Sequence, residues 1–344
     1  MMWVGLDVHK RFSRMGIFDP ATGDLQDLGE VSNDREALRV RLEQVASPKT
    51  VVLEAGRSSY HMAGLLESLA DEVWIINPAE LRRLQHRVAK TDRRDAAALA
   101  WWAAKGALKP LWRPDRPVLE LRELTRGRTA LTRIATQLRN LIRSLLARHG
   151  YECPHRDLLC ARGRAWLDTV TLEGYAGEML AAFRALLSLI QEKADGFEQE
   201  VEAAAADFPT AQRLRTIPGI GPVLGLSLAV EIGDISRFPS PGHLRGYSGL
   251  TPAVFQSGEK EARGPITKRG NKWLRHTAVL AAQRMSQMRQ ADPGIKRTFL
   301  SVAFRHGRNP GKVAAARRLL DLSYHLLKKE VDYRAPRAPT ASTG

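Results

Sequence analysis

Four carboxylates and one serine are the residues of this chain whose types and spacing fit catalysis. Asp7 closes the short apolar run Met2-Trp3-Val4-Gly5-Leu6, and Glu54 closes a second, Thr50-Val51-Val52-Leu53. Runs this short and this apolar suit strands buried on both faces. A carboxylate ending such a strand is costly to desolvate unless something pairs with it. A metal ion shared with further acids is the compensation that fits best. Asp92 and Asp95 supply those acids, since residues three apart on a helix share a face. By itself a D-x-x-D pair reads as a solvated helix with local ion pairs. The two acids upstream shift the reading toward one four-acid site. Carboxylate oxygens suit Mg²⁺, with Mn²⁺ as a substitute, and a metal held this way neutralises a phosphodiester under attack.

Ser257 precedes Gly258 and stands upstream of the basic segment Lys268-Arg269-Gly270-Asn271-Lys272. Alone, a serine so placed is more often a turn residue than a nucleophile. A serine hydroxyl is also weak at neutral pH and needs activation, and no histidine stands out as its base. The case for Ser257 therefore rests on its surroundings.

Those surroundings are basic. Lys and Arg number 53 against 37 Asp and Glu, for a net charge of +16. Such an excess calls for a polyanion, and nucleic acid comes before a membrane surface because no basic amphipathic helix stands apart from the folded pattern. The expected phosphate contacts fall in three places. Arg82, Arg83, Arg87 and Lys90 lie in the helical stretch 79–105. Arg126 and Arg133 lie on the arginine face of the helix after Pro117, where no matching acids are evident. Lys268, Arg269, Asn271, Lys272 and Arg275 surround a Gly-Asn turn at a helix start, a place where phosphates bind well. Affinity resting on such contacts falls steeply with salt.

The elements that must position these groups follow from periodicity. Three strands come first, near 2–10, 13–18 and 25–31, and Asn33 or Asp34 then caps a helix to about Val45. Strand 50–54, a helix from Ser58 or Ser59 to Leu69, strand 72–76 and helix 79–105 complete the order of a ribonuclease H-like α/β domain. Lys109 to Pro117 reads as a linker or a last short strand. Two seven-residue seams follow, one through Leu124, Leu131, Leu138 and Leu145, the other through Leu187, Ala194, Val201 and Phe208. They fit a helical hairpin within the chain and a coiled coil between chains equally well. His149, Cys153, His155 and Cys160 between them match no familiar zinc spacing and read as incidental. Pro218-Gly219-Ile220-Gly221-Pro222 reads as the turn of a helix-hairpin-helix, or as a tight turn between core helices. No apolar run approaches a membrane span, no secretory signal leads the chain, and two cysteines make no disulfide framework, so a reducing cytoplasm is expected.

Taken in order, Gly5-Leu6-Asp7-Val8-His9-Lys10, Glu54-Ala55-Gly56, Lys90-Thr91-Asp92-Arg93-Arg94-Asp95-Ala96, Ile217-Pro218-Gly219-Ile220-Gly221 and Ser257-Gly258 with Lys268-Arg269-Gly270-Asn271 form a set. The set resembles the DEDD transposases of the insertion sequence 110 type, its 1111 branch included, from the N-terminus to about residue 325. The resemblance implies a RuvC-like catalytic domain at 1–115, a coiled-coil helical region at 116–209, a mainly α-helical transposase domain at 210–330 and a disordered tail at 331–344. It implies Mg²⁺ on Asp7, Glu54, Asp92 and Asp95, and Ser257 as nucleophile with Ser248 as its competitor. It further implies donor and target DNA as substrates, an element-encoded bridge RNA as guide, a dimer or tetramer, and a bacterial cytoplasmic, nucleoid-associated setting. The other readings are a RuvC-like nuclease that cuts with water, and a nucleic-acid-binding scaffold with a decayed site.

Overall fold

The computed structural model describes residues 1–85, 92–257 and 260–335, without the side chains of 85, 92–95, 254–257 and 260–263. The chain divides into two compact units, Met1–Arg113 and Pro114–Gly344.

The first unit holds a five-stranded mixed sheet. Strands β1 (Met2–Val8), β2 (Phe12–Phe18), β3 (Leu25–Ser32), β4 (Lys49–Glu54) and β5 (Glu72–Ile76) lie in the order β3-β2-β1-β4-β5. The first three are antiparallel, and β4 and β5 run parallel to β1. β1 and β4 are apolar without alternation because both their faces are covered. Val4, Leu6, Val51 and Leu53 enter one core with α1 (Arg35–Glu43) and α2 (Ser59–Leu66), through Leu38, Leu42, Met62 and Leu66. Trp3 and Val52 enter another, with Leu81 of α3 (Pro78–Gln85) and Leu99 and Ala103 of α4 (Asp92–Ala104). Of the two expected caps for α1 it is Asp34 that serves, accepting the Ala37 N–H at 2.8 Å. The Ser32 side chain and then that amide hold its carboxyl below the usual range. Lys49 is buried, and its Nζ closes the other end of α1 by donating to the carbonyls of Leu42 and Val45. After α4 the chain adds one antiparallel bridge, Ile76 to Pro110, to the edge of β5.

The second unit is mainly helical. Asp115 caps α5 (Arg116–Arg148), which pairs with α7 (Gly174–Asp207) around the short α6 (Ala161–Asp168). The heptad seams meet within the chain: Ala135, Leu138, Ile142 and Leu145 pack with Leu180 and Leu187. Cys160 caps α6, its Sγ accepting the Gly163 N–H at 3.3 Å, so its role is local. Toward the other end, Leu121 and Leu124 of α5 and Val201 and Ala205 of α7 leave the hairpin core and join the core of the C-terminal helices. Those are α8 (Pro209–Arg215), α9 (Pro222–Ile232), α10 (Pro241–Ser248), α11 (Lys272–Gln287), α12 (Pro293–His306) and α13 (Arg308–Lys328). Between α10 and α11 stands a hairpin, β6 (Pro252–Ser257) with β7 (Lys260–Ile266). The first residues of the expected tail are held down: the Tyr333 N–H donates to Thr216 Oγ1, and its hydroxyl donates to Asp292 at 2.9 Å. Burial, then that bond to Asp292, pushes the phenol up to about 12. Residues 336–344 lie outside the described residues.

Candidate active site and nucleic-acid interface

Asp7 and Glu54 end neighbouring parallel strands. The ladder pairs Gly5 with Val52 and Leu6 with Leu53, so Asp7 and Glu54 come next on both strands. Leu6 and Leu53 point into the α1–α2 core, and alternation turns Asp7 and Glu54 to the opposite face, the one α4 covers. Side chains side by side on parallel strands lie about 5 Å apart. Asp7 is partly exposed, with Oδ2 3.4 Å from Nε2 of His9. Two carboxylates so placed repel each other unless a cation sits between them.

Helix α4 brings its start to the same face. An ideal Cβ on Gly5 would lie 1.8 Å from the carbonyl oxygen of Ala96, and one on Gly16 would lie 2.4 Å from the amide nitrogen of Ala97. Gly5 and Gly16 are direct cross-strand partners. Together they form a bare patch on which the α4 backbone rests, and Asp92 to Asp95 are the first turn of that helix. The side chains of Asp92 and Asp95 lie outside the described residues, as do Arg87 and Lys90. Among the described residues no group of three acids, histidines or cysteines comes together. Gly5→Val drives a branched side chain into the α4 backbone. It should lower unfolding stability by about 1–3 kcal/mol or more, read as a shifted urea midpoint. An unchanged midpoint would contradict this packing.

The two serines differ sharply. Ser248 is fully buried at the end of α10, donating its Oγ–H to the Arg245 carbonyl at 2.7 Å. It has no route to a phosphate. Ser257 is the last residue of β6, paired with Lys260 at the far end of the hairpin. The base of that hairpin is fixed by Pro252 against Ile266 and by the Lys268 N–H on the Gly249 carbonyl. Extended chain rises roughly 3.3 Å per residue, so Ser257 and the Lys268 turn are about 16 Å apart along the hairpin. A phosphate held by Lys268 and Arg269 at the hairpin base therefore lies about that far along the hairpin from Ser257. The Ser257 side chain itself lies outside the described residues.

Several of the expected phosphate contacts are already engaged. Asn271 caps α11: its Oδ1 accepts from the amides of Trp273 and Leu274, and its Nδ2 donates to Glu231 at 2.7 Å and to the Tyr247 hydroxyl at 3.2 Å. The free N–H groups expected there are therefore taken. Arg275 donates to the Ser248 carbonyl at 2.8 Å. Arg126 makes a two-pronged pair with Glu231 at 2.7 and 3.0 Å, and Arg122 donates to the Val230 carbonyl beside it. Arg128 pairs with Glu198 and Arg143 binds the carbonyls of His155 and Arg156. Arginines of α5 thus have partners after all, those of Arg122, Arg126 and Arg128 supplied by chain far away in sequence and those of Arg143 by the loop that follows the helix. Arg133 sits 5.2 Å over the Trp273 ring. Lys268, Arg269 and Lys272 remain exposed on the turn, as do Arg82 and Arg83 on α3. The turn packs closely on α10: an ideal Cβ on Gly270 would lie 2.3 Å from the Tyr247 carbonyl. The glycine turn 217–221 does join two paired helices, α8 and α9, with Gly221 preceding α9.

The IS110 DEDD transposase family matches residues 4–150, which contain both carboxylate-bearing strand ends of the first unit and all of its strands but the first two residues of β1. A second transposase family, described as IS116/IS110/IS902, matches residues 211–298. The chain belongs to this family of insertion-sequence transposases. Its first unit is the ribonuclease H-like DEDD domain and the helical unit contains the second transposase domain. Membership implies phosphoryl transfer on DNA, and a DEDD domain implies a divalent metal. It is 28% identical to the transposase of insertion sequence IS1111A of Coxiella burnetii over 90% of this chain and 87% of that one. It is likewise 28% identical to y4qE of Sinorhizobium fredii, over 81% and 70%. The transposase of IS1328 of Yersinia enterocolitica is 26% identical over 83% and 86%. Among the described residues no helix is long and apolar enough to cross a membrane.

Two parts of this transposase escape a reading of its motifs. One is the Gly5–Gly16 patch that seats α4. The other is Glu231, buried in the apolar helix α9, which holds Arg122, Arg126 and Asn271 and so ties α5 to the basic turn. The signal for it was present: a single acid in Leu-Ser-Leu-Ala-Val-Glu-Ile is as costly unpaired as Asp7 on its strand.

Proposed function

We propose that this transposase is an RNA-guided DNA recombinase that cuts and rejoins strands through a phosphoserine at Ser257. The reading rests above all on one observation: Asp7 and Glu54 share the α4 face at the ends of adjoining strands, and α4 starts at Asp92. Asp7, Glu54, Asp92 and Asp95 would hold Mg²⁺, or Mn²⁺ in its place, since all four offer hard oxygens. Bound there, the ion neutralises phosphate oxygens and stabilises the charge of the transition state. The Ser257 oxygen attacks phosphorus, an Oγ–P bond forms and one P–O bond of the backbone breaks. The serine proton ends on the departing sugar oxygen. The bond energy is kept in the phosphoserine, so a hydroxyl from another strand can reverse the step without ATP. Lys268, Arg269 and Lys272 hold the duplex at the hairpin base, at a distance from the nucleophile.

The charge of +16 suits a second polyanion besides DNA, and a structured guide RNA is that partner. A row of exposed apolar residues on α7, Tyr175, Met179, Leu186 and Leu189, supports assembly as a dimer or tetramer. The work is done on the bacterial nucleoid, in the cytoplasm. Sequencing the RNA that co-purifies from cells carrying the element should return one structured RNA that pairs with donor and target. Recombination by RNA-free protein at full rate would contradict the guide.

A further inference from the structure

The corner between α12 and α13 has no part in the site above. Helix α12 buries Ile295 and Phe299 in the C-terminal core and turns Arg297, Leu300 and Phe304 outward. Those three recur at helical spacing on one face. Phe304 is 93% exposed and Leu300 55%, on the last turns before Gly307. An apolar ring that bare, at the tip of a helix pair, is held out rather than left over: Gly311 of α13 packs its backbone against Ala303 and Phe299, which fixes the turn beneath it. Along the chain that forms the corner the charge has one sign. Between Asp292 and Asp321 the chain has no acid, while Lys296, Arg297, Arg305, Arg308 and Lys312 all fall there. Arg305 bonds only to Ser301 among the described residues, so its positive charge is not neutralised.

We infer that the α12–α13 corner is a stacking surface for an unpaired base of substrate DNA, with Phe304 under the base and Arg297, Arg305 and Arg308 on the flanking phosphates. An exposed aromatic in a cationic surround is the combination by which proteins hold single strands without reading sequence. Side chains of this kind also wedge into a duplex where it opens. Strand exchange requires DNA that is locally unpaired, and a ring at this corner stabilises it. This rests on the recombinase reading only for its purpose; the binding itself is tested without catalysis.

The test uses the full chain with three probes: a duplex, the same duplex with a central unpaired bubble, and single-stranded RNA of the bubble sequence. Phe304→Ala should weaken bubble DNA about tenfold or more, as loss of one stacked base does, and leave the duplex within about twofold. Phe304→Trp should keep bubble affinity, and its fluorescence should be quenched on binding. Arg305→Gln and Arg308→Gln should weaken duplex and bubble alike and flatten the salt dependence. Because Phe304 is solvent-exposed, its replacement leaves the fold intact, which an unchanged circular dichroism melt verifies. Equal bubble affinity for wild type and Phe304→Ala would overturn the inference. So would a loss confined to the RNA probe, or a loss of self-association with no change in DNA binding.

Discussion

Asp7→Asn should abolish strand cleavage, by on the order of a thousandfold or more in rate, while leaving DNA and RNA binding within about twofold. The size follows from what is removed. A carboxylate that holds a divalent ion contributes several kcal/mol to the transition state, and the amide that replaces it is a poor ligand. Glu54→Gln and Asp92→Asn should behave alike, because the donors act as one set. A second readout separates a metal site from a merely structural acid. Without Mg²⁺, Asp7→Asn should be no less stable than wild type, since it relieves the repulsion between neighbouring carboxylates. With Mg²⁺, wild type should gain melting temperature by mass action and Asp7→Asn should not. Full recombination by Asp7→Asn would sink the four-acid site.

Much of the first unit was legible because local pattern and tertiary environment agree there. Unbroken apolar runs mean strands covered on both faces, and the position of Asp7 and Glu54 at their ends falls out of that. The side on which they emerge did not, because it depends on the β1–β4 register. The second unit was legible in its helices and less so in its charges. Arginines on α5 read as free for phosphate, but Arg126 finds Glu231 more than a hundred residues later. Pairing at such separation leaves no local trace. Asn271 fits a phosphate contact in the sequence because helix starts bind anions, yet an asparagine at that position satisfies the same N–H groups itself. The β6–β7 hairpin likewise leaves little trace in the sequence. Val254 to Ser257 is too short to announce a strand, and its partner follows only after Gly258 and Glu259.

Ser257→Ala should lose all recombination and keep its fold and its nucleic acids. Ser257→Cys should keep at most a trace, since the thiolate is nucleophilic but larger. Ser248→Ala removes a buried hydroxyl bonded within its own helix, so it should cost stability, about 1 kcal/mol, and spare the chemistry. The contrast matters because both serines precede a glycine, and the burial of Ser248 removes it as a nucleophile. The most direct measurement is mass spectrometry of wild-type protein trapped on a nicked DNA substrate with Mg²⁺ and digested. The phosphoserine account predicts one DNA-linked peptide, containing Ser257 and absent from Ser257→Ala. Cleavage with no adduct under any trapping condition would contradict it and leave a nuclease that activates water.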